Sequence, residues 1–176
     1  MLLVRFQLGP HRYALDATRI VEIVPLLALR RGPQSPRGVA GHFVYHGQPV
    51  PALDLCELTL GRPAVEHLST RILIVQHTKP ASHVEPGPPD QSRPGVYAAG
   101  QPQLIGLIAE RVAGTLQREE KDFVNVGVEM GAAPFLGPVV MDPHGLIQIL
   151  DAQKLLDAGA HQLQLTDAPE TSDAPH

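Results

Sequence analysis

Asp54 and the histidines are the residues best suited to acid–base chemistry in this sequence. The chain has nine histidines, and Asp54 paired with one of them is the best catalytic arrangement available, because catalysis needs a base within hydrogen-bond reach of a nucleophile. Asp54, however, begins the stretch Asp54–Glu57, which matches a capping box and therefore predicts a helix N-terminus. No P-loop, GxGxxG, GxSxG or HExxH motif is present. The residues therefore argue against an enzyme.

His42 and His46 are the best candidates for metal ligands. They would point to the same side if residues 42–46 formed a strand, which is half of a zinc site. No third ligand is evident, and a zinc site needs three or four converging ligands. We therefore predict solvent-facing histidines, with no metal and no cofactor.

Glu22 is a charged residue inside the apolar run Ile20–Val24. A carboxylate in such a run must face solvent, a partner protein or a paired cation, because burying an isolated charge is costly. Glu22 is therefore either an ordinary solvent-facing strand residue or part of a binding surface.

Short strands dominate the first part of the chain. Apolar residues alternate over 2–8, which predicts a strand ended by Gly9-Pro10, and residues 13–15 and 20–24 continue in the same style up to Pro25. Asp16 would cap a single helical turn between these two segments. The glycines and prolines of residues 31–41 then predict an irregular connection.

Hairpins and two short helices make up the rest of the pattern. Residues 42–45 and 50–53 predict a hairpin, a helix follows from Asp54 to Gly61, and residues 71–75 read as a strand buried on both faces. Residues 104–112 resume strand character, 136–141 pair with 146–150, and Asp151 caps a final helix through Leu156. This pattern favours a mainly β fold of small barrels over a doubly wound α/β sheet.

Two segments are expected to stand outside the folded body. Residues 78–103 contain six prolines and three glycines, which predicts a surface insert, and residues 159–176 have too little apolar surface to order themselves, which predicts a disordered tail. We expect one domain over residues 1–158.

Composition excludes several classes of partner. The net charge is −4 and no face is enriched in Lys and Arg, so nucleic acid is not expected. No apolar stretch approaches the ~20 residues of a membrane span, and the N-terminus lacks a signal-peptide core. The single Cys56 fits a reducing compartment, so we expect a cytoplasmic protein that reaches membranes only through its partners.

Ordered blocks of the sequence resemble the CheW-like domain of bacterial chemosensory systems. The family's opening pattern, a strand and Gly followed by Tyr-Ala-Leu-Asp and Val-x-Glu-Ile, is matched by residues 6–9, 13–16 and 21–25. The next pattern, Pro and Gly, a turn, and Val-Pro-x-x-Asp-Leu, is matched by Pro36, Gly41, His46-Gly47 and residues 50–55.

Two later blocks complete the resemblance. Residues 107–112 stand where the family has its Val-Asp-x-Val strand, and residues 145–151 stand where the family ends in Ile-Leu-Asp, ahead of 154–156. The resemblance implies two SH3-like five-stranded β-barrel lobes around a shared core, with short helices including one near the C-terminus. It also implies an adaptor between the cytoplasmic signalling tip of chemoreceptors and the regulatory domain of a CheA-type histidine kinase.

The chain departs from the family at one hairpin. The family usually has Asn-Leu-Arg-Gly where this chain has Val44, Tyr45, His46 and Gly47, and its Arg commonly pairs with the Glu represented here by Glu22. We therefore predict that Glu22 approaches His46 and that these five residues mark a partner-binding surface. The departure also suggests a specialised pathway such as surface sensing.

Two alternatives to this role stay open. The first is a CheW-fold scaffold that organises another assembly without coupling a kinase, and the second is a small-molecule enzyme, which would need a deep pocket with convergent polar groups.

Overall fold

The computed structural model describes residues 1–32, 35–78, 102–125 and 134–157. The predicted tail lies outside the described residues, as does most of the predicted insert, residues 79–101. The two ends of that insert, residue 78 and residues 102–103, belong to strands. The single-domain boundary therefore stays a prediction.

Ten strands and a few short helices make up the described part of the chain. The strands are β1 Leu2–Leu8, β2 His11–Asp16, β3 Ile20–Pro25, β4 Val39–Tyr45, β5 Gln48–Asp54, β6 Arg71–Thr78, β7 Pro102–Ala109, β8 Thr115–Gln117, β9 Leu136–Asp142 and β10 Gly145–Leu150. Helix α1 spans Leu55–Leu60, helix α2 spans 152–157, and 3₁₀ turns span Ala17–Arg19 and Glu120–Asp122. The mainly β prediction is confirmed.

The strands form two five-stranded sheets, each curled into a small barrel. The terminal barrel has the strand order β8-β1-β2-β10-β9 and so combines the first and last strands of the described chain. The central barrel has the order β3-β6-β7-β5-β4. Each contains one parallel pair, β2 with β10 and β5 with β7, and the remaining pairs are antiparallel. The predicted pair of five-stranded lobes is confirmed.

Each barrel is closed by a short bridge between its outermost segments. In the central barrel, the backbone of Arg30 exchanges hydrogen bonds of 2.9 and 3.0 Å with His42 on β4. In the terminal barrel, Val124 exchanges bonds of 2.8 and 2.9 Å with Val139 on β9. These bridges satisfy backbone groups that an open sheet edge would leave to solvent.

The shared core lies between the barrels. Val4, Phe6 and Leu8 alternate along β1 and pack with Leu73 and Leu107 of the central barrel in one buried cluster. Residues 72–75 of β6 are all fully buried, as predicted for a strand covered on both faces. Helix α2 adds Leu155 and Leu156 to the same cluster and so covers the junction between the barrels.

Several predicted boundaries move in the structure. The predicted turns 46–49 and 142–145 are shorter, each with only two residues between the paired strands. The predicted strand over 104–112 ends at Ala109, because Glu110 forms an isolated bridge with Gln7 and Arg111 takes a left-handed backbone with φ 47°. Strand β8 and the second 3₁₀ turn were not predicted.

One half of the predicted capping box at α1 is wrong. Asp54 accepts hydrogen bonds from the N–H groups of Cys56 and Glu57 as expected, at 2.9 and 3.1 Å. Glu57 does not reach back, because the N–H of Asp54 already donates to the carbonyl of Gly38 at 2.8 Å. The Glu57 carboxylate instead lies 3.6 Å from Arg31.

Candidate functional site

The predicted site residues 44–47 lie at the tip of the β4–β5 hairpin. His46 and Gly47 form its two-residue turn, with φ values of 47° and 78°. Two successive left-handed residues give a type I′ turn, whose twist matches that of the flanking strands. The exposed tip therefore has a defined backbone shape, and its histidine sits in a conformation that His tolerates better than most residues.

Glu22 and Tyr45 meet across the central barrel. The hydroxyl of Tyr45 at the end of β4 donates a hydrogen bond to the Oε2 atom of Glu22 on β3. This bond raises the pKa of the Tyr45 hydroxyl above its ordinary value, because a phenolate would face the carboxylate. The carboxylate placed inside an apolar run by the sequence thus has a specific neutral partner.

The expected approach of Glu22 to His46 is not what the structure shows. Both residues lie in the described part of the chain, and no ion pair within 4 Å joins them. The left-handed turn carries His46 past the end of the strand, and its ring contacts Tyr45 edge-on with centroids 4.2 Å apart. Tyr45 therefore contacts both Glu22 and His46 and links them.

Exposed apolar side chains flank the Glu22–Tyr45 contact along the chain. Val21 and Ile23 adjoin Glu22 on β3, Leu27 follows on the connection to β4, and Val44 adjoins Tyr45 with 67% of its surface exposed. We call these four residues the edge surface: three of them lie on β3 and β4, the outermost strands of the central sheet, and Leu27 lies two positions after β3. Exposed apolar groups on edge strands are a common feature of protein-binding surfaces.

Asp54 is fully used in holding the chain together. Besides its two cap contacts, its Oδ2 atom accepts a 2.7 Å hydrogen bond from the N–H of Ala64, which ties down the loop after α1. Burial raises the pKa of this carboxyl above its ordinary value, although three backbone hydrogen bonds oppose the shift. The carboxylate weighed for catalysis is thus a structural cap.

A second buried carboxylate, Glu110, braces the junction between the barrels. It forms a bidentate pair with Arg62, at 2.7 and 3.2 Å, and accepts a 2.7 Å bond from the N–H of Val65 and a 3.4 Å bond from Gly9. The Arg62 contact lowers the pKa of Glu110 to about 2. Sequence reasoning placed Glu110 only inside a strand. The signal that it left unused is a carboxylate directly after the apolar run of residues 104–109.

One cavity in the described part of the chain is lined in part by two carboxylates that cap helical turns. It measures about 790 Å³ and its lining includes Asp16 and Asp151. Both carboxylates cap helical turns, Asp16 through the N–H of Thr18 at 2.9 Å and Asp151 through the N–H of Lys154 at 3.1 Å. The Oδ1 atom of each carboxylate is therefore engaged with the backbone.

His42 and His46 do not share a strand face, since β4 ends at Tyr45 and His46 lies in the turn. Among the described residues, no cluster of three or more His, Cys, Asp or Glu side chains is placed to hold a metal ion. In the same part of the chain, the helices are too short and polar to span a bilayer.

Comparison with known proteins identifies the family. No curated protein is similar enough in sequence to count as a relative. A solved structure, the scaffolding protein TtCheW from Thermoanaerobacter tengcongensis, superposes with a TM-score of 0.65 at 19% identity, covering 88% of this chain and 86% of that one. At this identity the match supports the fold, and a family model described as the CheW-like domain matches residues 2–160. The chain therefore belongs to the CheW-like domain family.

Proposed function

We propose that this protein is a non-catalytic adaptor that couples chemoreceptors to a CheA-type histidine kinase. The observation that carries the proposal is the edge surface around the Glu22–Tyr45 contact, on a fold of the CheW-like family. Adaptor work needs shape and chemical complementarity and no reactive group. The protein would act in the cytoplasm and reach receptor arrays at the membrane through its partners, without a cofactor.

The regulatory domain of the kinase is the partner we assign to the edge surface. Val21, Ile23 and Val44 offer apolar contact area, and next to them along β3 and β4 Glu22 and Tyr45 form a polar contact. Interfaces commonly combine an apolar core with a few polar contacts that orient the partner. The exposed tip residues His46 and Gly47 would lie at its rim. The receptor's cytoplasmic signalling tip is the second partner.

A charge substitution on the edge surface tests this proposal. Val44→Glu places a carboxylate in the proposed apolar contact, and Met141→Glu is a matched control. Met141 is 61% exposed against 67% for Val44, and both residues lie two positions before the turn of the equivalent hairpin in each barrel. Each variant is titrated against the kinase regulatory domain by calorimetry.

We expect the wild type to bind the regulatory domain and the receptor tip. Val44→Glu should weaken kinase binding by tenfold or more, about what 1.4 kcal/mol represents, while Met141→Glu should bind as the wild type does. Equal affinities for the two variants would remove the edge surface from the interface. A folded protein that binds neither partner would overturn the coupling role and favour a scaffold for another assembly.

A further inference from the structure

The mouth of the terminal barrel contains a pocket lined by three arginines. Its volume is about 370 Å³, and Arg5, Arg12 and Arg111 line it together with Gln7, His144 and Ile147. Arg5 lies two positions after Leu3 on β1, so both side chains point to the barrel interior, where Leu3 and Ile147 belong to the buried cluster of this barrel. The arginines therefore stand above an apolar floor.

The positive charge of this pocket is only partly balanced. Asp142, whose side chain is 2% exposed, forms a bidentate pair with Arg12, with Nη1 and Oδ1 2.6 Å apart. The same carboxylate lies 3.5 Å from Arg5 and accepts a 2.8 Å hydrogen bond from the N–H of His144. The single Asp142 carboxylate is thus shared by the part-buried guanidinium groups of Arg5 and Arg12. A guanidinium group forms its strongest contact when it pairs bidentately with a carboxylate or phosphate of its own.

Arg5 is the less satisfied of the two. Its Nη2 atom makes a long 3.3 Å hydrogen bond to the carbonyl of Ala113, and its Nε atom is buried without a hydrogen-bond partner among the described residues. A buried donor without a partner is unfavourable, and most such groups in proteins are satisfied. Arg5 therefore keeps one buried donor free of any hydrogen bond within the described residues.

Arg111 adds a third positive charge from a strained position. Its backbone is left-handed, with φ 47°, a conformation that non-glycine residues other than Asn, Asp and His rarely adopt. Its Nη1 atom donates a 3.2 Å hydrogen bond to Oε1 of Gln7, and within the described ranges no carboxylate lies within 4 Å of it. Strained backbone tends to persist where a side chain has a task.

We propose that this pocket binds a small soluble anion that carries a phosphate or carboxylate group. Arginine is the residue best suited to such groups, because its planar guanidinium donates two parallel hydrogen bonds to two oxygens. The volume lies at the lower end of the ~300–1,000 Å³ range of ligand pockets, which suits a small ligand. In a chain of net charge −4, this convergence of arginines also distinguishes the mouth from the rest of the protein. The inference is independent of the coupling role.

Inorganic phosphate is the probe for the test, titrated by calorimetry into the full chain at constant ionic strength set with chloride. Arg111→Gln removes one charge while keeping a long polar side chain, and Asp142, the buried partner of Arg12, stays untouched. Arg30→Gln is the matched control, since Arg30 is an exposed arginine of the central barrel whose bridge to His42 uses only backbone atoms. Circular dichroism and thermal melting confirm that each variant is folded.

We expect saturable binding of phosphate, weakened about tenfold by Arg111→Gln and by less than about twofold by Arg30→Gln, since a distant surface charge is largely screened by salt. Binding no stronger than that of chloride would overturn the proposal. So would equal affinities for the two variants. Loss of kinase binding in Arg111→Gln, without any phosphate binding by the wild type, would assign the arginines to a protein partner instead.

Discussion

The hydroxyl of Tyr45 donates a hydrogen bond to the carboxylate of Glu22. This contact joins β4 to β3, the two outermost strands of the central sheet, at the mouth of its barrel. The corresponding position in the terminal barrel is Asp142, since both residues come directly before a two-residue hairpin turn. There the Asp142 carboxylate pairs with Arg12. The two barrels therefore have equivalent hairpins, but a tyrosine ends the first strand of one hairpin and a carboxylate paired with arginine ends that of the other.

The Tyr45 hydroxyl should titrate in response to Glu22. In the wild type the carboxylate holds the pKa of Tyr45 above its ordinary value of ~10, and Glu22→Gln should move that pKa back down. NMR of the Tyr45 ring as a function of pH measures the shift, with Glu120→Gln, an exposed carboxylate of the terminal barrel, as control. An unchanged Tyr45 pKa in Glu22→Gln would mean that the bond does not persist in solution.

Glu110 should make the fold sensitive to acid. Its pKa is lowered from 4.5 to about 2 in the folded state, so the unfolded chain binds more protons between those values. The stabilisation from Glu110 is therefore complete above pH ~4.5 and is lost as the pH falls towards 2. Asp142, whose pKa is also lowered by Arg12, adds to this trend, while the raised pKa of Asp54 acts in the opposite direction.

Glu110→Gln tests this linkage, because its side chain cannot be protonated in that range. We expect a loss of about 1–2 kcal/mol at neutral pH, since Arg62 is partly solvated and tolerates the loss of its partner. The unfolding free energy should also fall less between pH 4.5 and 2 than in the wild type, as measured by urea denaturation. Glu66→Gln, an exposed neighbour, should keep the wild-type profile; a Glu110→Gln curve parallel to the wild type would contradict the assignment.

A side chain at Gly106 should destabilise the core of the central barrel. A Cβ atom there would lie 2.6 Å from Cε1 of Phe43 and 2.7 Å from Cγ2 of Ile72, inside the central barrel. Gly106→Ala should lower the unfolding free energy by about 1–3 kcal/mol, the usual cost of overpacking a core. Phe43→Leu in the same chain should recover part of the loss in urea denaturation. A neutral effect of Gly106→Ala would show that the core is packed less tightly than these distances indicate.

Two glycines of one hairpin should differ in their tolerance to alanine. At Gly41, with φ 132°, a Cβ atom would lie 2.5 Å from the carbonyl oxygen of Arg30, in the bridge that closes the barrel. At Gly47, with φ 78°, the surrounding space is open. Gly47→Ala should therefore cost only the backbone strain, about 1–2 kcal/mol, and Gly41→Ala distinctly more in thermal unfolding. Equal losses of stability in the two variants would mean that the backbone bridge between Arg30 and His42 can shift at little cost in free energy.

The local sequence pattern was sufficient to predict most of the strands. The alternation along β1, the apolar run of β6 and the cap at Asp54 follow from the neighbours of each residue in the chain, and the structure confirms all three. Strand β8 has only three residues, of which Leu116 alone is even partly buried. It exists because β1 offers it a partner, which a local pattern cannot show.

The local sequence pattern did not predict correctly which side chains pair. Glu22 was expected to approach His46, and it instead binds Tyr45, because the left-handed turn directs His46 away from the strand. Glu57 was expected to complete a capping box, but a carbonyl from Gly38 had already taken the backbone donor. In each case the competing group is supplied by another part of the fold.

The sequence by itself determined the strand pattern and the caps of the short helices, since these depend on residues close together in the chain. It also determined the CheW-like family, through ordered blocks along the chain. Only the tertiary structure decided that Tyr45 holds Glu22, that Arg62 neutralises Glu110, and that Arg5, Arg12 and Arg111 share one pocket. Those residues come from segments up to about a hundred positions apart, and hydrogen bonds and ion pairs act over a few ångströms. Strand order and register bring such groups within reach, and no local periodicity encodes them.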